Sequence, residues 1–368
     1  MTTAFYSDER CFWHGGGNYA GMVPVGGLVQ PLLGGLPESP ESKRRLKNLI
    51  EVTGLSRDLS LRGADPATTE DLRRVHPAHY LDRFKELSDG QGGELGRRTP
   101  FGPGGYEIAA VSAGLAKAAL FSVLQGTATN AYSLSRPPGH HCLPDFPNGF
   151  CLLANIAIAI EAARAQGLGQ RFAVLDWDVH HGNGTEAIFY EDPDVLTVSI
   201  HQDRNYPMDT GGFGDRGAGA GVGANLNIPL PPGCGHDIYL ETLDRLALPV
   251  ISAFRPDVLI IACGFDAAGN DPLGRMLCHQ GTFAAMTQRV MDLAAEVCGS
   301  RLVMVHEGGY SETYVPFCGH AVLQQMSGSS IHAADPFGDV WPQRQPTAPF
   351  NRFASSQISE MAEALGLS

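Results

Sequence analysis

Along this chain, short apolar runs rich in β-branched residues and bounded by Gly, Pro or Asp alternate with longer segments whose apolar positions recur at helical spacing. The runs at 4–6, 131–135, 172–176, 196–200, 258–262 and 302–306 predict strands, and 226–229 predicts a shorter one. A helix is expected from near Pro40, with Ser39 as its cap, proline in the first turn, Leu46, Leu49 and Ile50 on one face, and Gly54 as the stop. On this reading Lys43, Arg44, Arg45 and Lys47 form its solvated face. Further helices are expected at 106–124, 151–165, 236–254, 283–297 and 352–365. The segment 151–165 is apolar nearly all round and should be buried. Strands alternating with helices predict an α/β fold with a mainly parallel central sheet and helices on both faces, built as one domain over residues 1–368.

Two glycine-rich stretches, 11–38 and 202–224, resist assignment. Loops this long in a compact domain are usually functional or used in assembly, so they are expected to wall a pocket or meet another subunit. No segment reads as an apolar membrane span, and the N-terminus lacks an export signal, so a cytoplasmic protein without membrane contact is expected. The formal charge of −13 argues against direct nucleic-acid binding and favours a cationic substrate. The eight cysteines include no CxxC pair, which fits neither a thiolate cage nor a disulfide framework.

The chemistry concentrates where strands end. The run from Phe172 leads into Asp176, Asp178 and His180, whose i, i+2, i+4 spacing puts all three on one side if the extended geometry continues. The run from Val258 delivers Asp266, that from Ala131 leads into Arg136-Pro-Pro-Gly-His140-His141, and that from Leu302 leads into Glu307-Gly-Gly-Tyr310. In open parallel sheets the ligand crevice lies beyond the carboxyl ends of the strands, so these four motifs should converge. Two carboxylates and an imidazole, Asp178, Asp266 and His180, make a three-ligand set that leaves a position open for water, as a catalytic zinc site does; iron(II) or manganese suits the same donors. His140 and His141 are candidate bases for that water, and Tyr310 can hydrogen-bond a developing oxyanion.

These blocks resemble the signatures of the histone deacetylase family over about residues 70–325, with Asn183 and Arg136-Pro-Pro-Gly-His-His similar to the class II branch and to bacterial histone deacetylase-like amidohydrolases. The resemblance implies a single-domain arginase/deacetylase-type fold. It implies zinc held by Asp178, His180 and Asp266, acid–base catalysis by His140 and His141, and Tyr310 as the oxyanion stabiliser. Asp176 would orient His140. Asn183 stands where class I members place an aspartate beside the second histidine. A structural potassium ion is implied near Asp176, Asp178, His180, Ser199 and Ile200, and a second near Phe189, Asp192, Val195 and Asn225. A homo-oligomer is also implied, a tetramer built through loop 11–38.

Arginases share the fold but bind two manganese ions; Gly182 and Ala268 stand where their extra carboxylates would be, so one metal is expected. Gly149 and Phe150 match one wall of a narrow acyl-lysine channel and Tyr206 the other, where phenylalanine is more usual. Leu273 falls where a polyamine-selective relative carries glutamate, which favours an acylated lysine over an acetylpolyamine. Retention of every ligand, His141 and Tyr310 argues against a noncatalytic acyl-lysine binding module.

Overall fold

A computed structural model describes residues 2–32 and 34–367. Its main sheet has eight strands: β1 (Thr3–Tyr6), β2 (Ser60–Arg62), β3 (Asn130–Ser133), β4 (Phe172–Asp176), β5 (Val195–Gln202), β6 (Asn225–Leu230), β7 (Val258–Cys263) and β8 (Leu302–His306). All pair in parallel, in the order β6-β5-β4-β7-β8-β3-β1-β2. Neighbouring residues of one strand point to opposite faces, yet both faces are buried. Leu175, Ile261 and Met304 join a core with the helices Glu41–Thr53, Gln280–Cys298 and Val315–Ser327, while Val174, Ile260 and Val305 join a second core with Gly105–Leu124 and Asn155–Ala165. That double burial is why the central strands read as unbroken apolar runs. The fold is the expected α/β type.

Several elements depart from expectation for identifiable reasons. The first helix begins at Glu41 with Pro40, not Ser39, in the cap position, and Gly54 ends it at φ +84°. Its Lys43 is not solvated: the ammonium is buried and lies 3.5 Å from the carboxylate of Glu38. The expected helix 236–254 is interrupted by a π-helical turn, Leu243–Ala247. Helices Ala78–Asp89 and Val315–Ser327 and the edge strand β2 lack a predicted counterpart. Helix Gly105–Leu124 is long and apolar enough by composition to cross a membrane, contrary to the reading that no segment is; here it packs inside the fold against Asn155–Ala165. The eight cysteines are free and buried.

Candidate active site

Strand β4 stops at Asp176, and the extended geometry stops with it. The Asp176 Oδ1 accepts from the Asp178 amide and the Asp178 Oδ1 from the His180 amide, both at 3.0 Å, so each carboxylate folds the backbone two residues on. The three residues thus follow a turn and not the continued strand that the spacing assumes. Asp176 turns to His140, while Asp178 and His180 meet Asp266 from the end of β7.

His180 Nδ1 lies 3.0 Å from Asp178 Oδ1 and 3.0 Å from Asp266 Oδ2. One donor atom from each of the three side chains falls within 4.8 Å of the others, a span one cation can bridge. Each carboxylate keeps its other oxygen fixed by a backbone donor: Gly308 N reaches Asp178 Oδ2 at 2.8 Å and Val179 N reaches Asp266 Oδ1 at 2.7 Å. Burial and the adjacent Asp178 charge push the Asp266 carboxyl up to about 8, so the cluster suits a further positive charge. Gly308 is required by proximity. A Cβ there would lie 2.3 Å from Asp266 Oδ2 and 2.5 Å from Asp178 Oδ2. A second buried group, His140, Cys151 and Glu307, is a poorer metal site: burial holds the Cys151 thiol well above its usual range, and Glu307 Oε2 accepts from Gly139 N and His140 N.

The tandem histidines lie with ring centroids 4.0 Å apart and planes tilted by 41°, but differ in partners. His140 Nδ1 is 2.8 Å from Asp176 Oδ2; burial opposes its charge, yet Asp176 and Asp178 outweigh this and raise it to about 10. His141 Nδ1 is 2.8 Å from Asn183 Oδ1, a neutral acceptor. Burial and the charges of His140 and His180 hold His141 well below its ordinary value. Tyr310 is buried, which raises its phenol well above the usual range and keeps it a neutral donor. Its amide is anchored by Asp271 Oδ2 at 2.7 Å.

Above these groups lies a pocket of about 240 Å³ lined by His141, His180, Tyr310, Gly149, Phe150, Tyr206 and Leu273, together with Met22, Arg98, Asn205, Pro272 and Arg275. Phe150 packs edge-on against Tyr310 and Tyr206 edge-on against His141, at 5.6 and 5.0 Å between centroids. The Tyr206 hydroxyl donates to Asn148. Gly149 takes φ +51°, and a Cβ there would come within 2.4 Å of the His141 ring, so the wall can stand this close only with glycine. Both glycine-rich stretches reach the pocket, through Met22 and through Asn205 and Tyr206.

Asn148, which accepts from the Tyr206 hydroxyl, and Arg97 and Arg98 beside the Tyr206 ring carry no periodic signal in the sequence. Asn148 is marked only by its place before Gly149; Glu307 and Asp271 lie in or beside recognised motifs, and their buried hydrogen bonds have no sequence signature.

The register of β4 and β5 sets Asp176 beside Ser199, and Ile200 follows in β5. Ser199 Oγ lies 2.9 Å from His201 Nδ1. At the second expected ion site both Asp192 side-chain oxygens accept from Arg164, and the Asn225 side-chain amide donates to Glu186 and the Asp215 carbonyl. Phe189 and Val195 are buried. Gly182 and Ala268 add no carboxylate beside Asp178, His180 and Asp266.

The family described as "Histone deacetylase domain" matches residues 36–326. A histone deacetylase-like amidohydrolase from Pseudomonas aeruginosa is 56% identical over 366 residues, covering 99% of this chain and 96% of the relative. A probable deacetylase from Archaeoglobus fulgidus is 37% identical, covering 81% of this chain and 84% of that protein. The crystal structure of the HDA15 HD domain superposes with a TM-score of 0.82 at 28% identity, covering 99% of this chain and 96% of that one. Sequence and fold thus agree over nearly the whole length, and the chain belongs to the histone deacetylase family.

Proposed function

We propose that this hydrolase acts on the amide of an Nε-acyl-lysine, with zinc held by Asp178, His180 and Asp266. The observation that carries the reading is the aromatic-walled pocket: Phe150 and Tyr206 flank a passage whose lining includes His141, His180 and Tyr310, so an extended acylated side chain entering it meets the ligand cluster. When bound, zinc supplies a Lewis acid for the acyl carbonyl and lowers the pKa of a water molecule.

The protein's own groups do the rest. His141 has Nδ1 directed at Asn183, which leaves Nε2 to take the proton of the attacking water and pass it to the departing amine. Its depressed proton affinity keeps it neutral at ordinary pH, as a base must be. Tyr310 donates a hydrogen bond to the oxygen that gains charge as the carbonyl is attacked. His140, held as an imidazolium by Asp176, stabilises the same negative charge through space. Phe150 and Tyr206 exclude water from the aliphatic part of the substrate. Leu273 offers no carboxylate to a polyamine tail.

The reading includes a structural potassium ion at Asp176, Asp178, His180, Ser199 and Ile200, supported by the Asp176–Ser199 register. It also includes a homo-oligomer, supported by exposed Trp13, Leu28 and Leu32 on or beside the glycine-rich loop. The test is chelation followed by metal return. Hydrolysis of an acetyl-lysine peptide should fall to background in the stripped protein and recover with stoichiometric zinc, and should exceed hydrolysis of acetylspermidine. Full activity in protein shown by elemental analysis to be metal-free would overturn the proposal.

A further inference from the structure

The charge of the whole chain and the charge at the pocket are opposite in sign. The protein carries a formal net charge of −13, which by itself favours cationic ligands. Yet the ionisable side chains lining the pocket are Arg98, Arg275, His141, His180, Tyr206 and Tyr310; among the described residues no aspartate or glutamate lines it. The two arginines stand at the outer end: Arg275 is exposed and Arg98 half-exposed, whereas His141, His180 and Tyr310 are buried. Arg97 adds a third cation beside them, with its guanidinium 5.7 Å from the Tyr206 ring centre and that of Arg98 at 5.5 Å.

Some arginines of this protein are neutralised by a carboxylate, as Arg74, Arg83 and Arg164 are. Among the described residues, Arg97, Arg98 and Arg275 form no ion pair with a carboxylate. They are nonetheless held in place. The Arg97 and Arg98 carbonyls accept from the Gly149 and Phe150 amides, each at 3.0 Å, which ties their backbone to the channel wall. Arg275 Nη1 donates to the Gly274 and Pro272 carbonyls at 2.6 and 3.1 Å, which fixes one end of its guanidinium and leaves its other nitrogens as donors.

We infer that the rim formed by Arg98 and Arg275 selects acyl-lysine substrates that carry a carboxylate next to the acylated residue. This rests on the acyl-lysine reading above. The arginines are at the mouth, so the anion they meet belongs to the part of the substrate outside the channel and not to the acyl group, which lies among buried His141, His180 and Tyr310. A guanidinium binds a carboxylate in a forked, two-point contact that a lysine cannot reproduce. The same rim repels the cationic tail of an acetylpolyamine. The carboxylate can come from an aspartate or glutamate side chain or from the end of the peptide chain.

The experiment compares kcat/KM on four acetyl-lysine peptides of equal length at one ionic strength. One is flanked by Asp and Glu with an amidated end, one by Asn and Gln with an amidated end, one by Lys, and one by Asn and Gln with a free C-terminal carboxylate. Wild type should prefer at least one carboxylate-bearing peptide over the amide peptide by roughly three- to tenfold, mostly in KM, and should disfavour the lysine peptide. The arm that gains identifies the source of the carboxylate. In the Arg98→Gln/Arg275→Gln variant the ratio of acidic to amide peptide should fall to within about twofold of unity. Arg98→Lys/Arg275→Lys, which keeps the charge, should retain part of the ratio. A wild-type ratio of one or less, or a ratio unchanged in the glutamine variant, overturns the inference while leaving the acyl-lysine reading in place. Turnover of acetylspermidine with none on any peptide overturns both.

Discussion

His140 and His141 are neighbours in the chain, both buried, with rings nearly in contact, and they are held in opposite protonation states by the residues facing them. Asp176 gives His140 a full negative charge at 2.8 Å, and the imidazole is raised to about 10. Asn183 gives His141 only an amide oxygen at the same distance, and burial together with the charge of His140 drives it down. The two partners arrive from the two ends of one loop: Asp176 is the last residue of β4 and Asn183 the first of the following helix, Asn183–Phe189. One loop thus sets an imidazole of raised proton affinity beside one of lowered proton affinity, and the charge of the first further lowers the second. Identical side chains at adjacent positions acquire different chemistry from their second contacts.

The largest expected break in this asymmetry is loss of the base. His141→Ala should lower kcat on an acetyl-lysine peptide by roughly 10²- to 10⁴-fold with metal content unchanged. A fall below tenfold in zinc-loaded protein would reassign the base to His140. Next comes Asp176→Asn. The asparagine oxygen can still accept from the Asp178 amide, but its NH₂ would face His140 Nδ1, so that nitrogen must accept and the ring becomes neutral. The expected loss in kcat is roughly 10- to 100-fold, smaller than that of His141→Ala. Because removing the carboxylate lowers the proton affinity of His140, any alkaline limb set by the imidazolium should move to lower pH. An unmoved alkaline limb would exclude a role for charged His140.

How much of this could be read beforehand depended on burial. Strands β4, β7 and β8 are central and covered on both faces, so Phe172–Asp176, Val258–Cys263 and Leu302–His306 announce themselves as apolar runs. Strand β2 is a three-residue edge strand with one exposed leucine, and nothing in its pattern separates it from a loop. Asp178, His180, Asp266 and both tandem histidines were legible because each sits in a short motif just past a strand end. Lys43 was misread because helical spacing says only that it lies off the apolar face. It cannot say that Glu38, brought round by a loop, waits there with Arg136. The arginine rim was hidden for the same reason: Arg98 and Arg275 are 177 positions apart in sequence and share a pocket only through the fold. Side-chain roles that depend on one local motif survive translation from sequence; those that need two distant segments do not.

The finest test converts one dyad into a copy of the other. Asn183→Asp replaces the neutral acceptor of His141 with a carboxylate at nearly the same volume, so the 2.8 Å contact can persist while its charge changes. A negative partner favours the protonated imidazole, and the His141 pKa must rise, by about one to three units for an opposite charge this close. The base acts when neutral. The acid limb of kcat/KM, which reports the free enzyme's base, should therefore move to higher pH by that amount. At pH well above the new limb, a stronger base offsets part of the loss, and the rate there should change by less than about tenfold. Burial of a further carboxylate beside Asp176, Asp178, Asp266 and Glu307 should also lower thermal stability modestly, by about 1–3 kcal/mol. If the acid limb stays where it was, His141 is not the group whose deprotonation the limb reports, and the division of labour between the two histidines has to be drawn the other way.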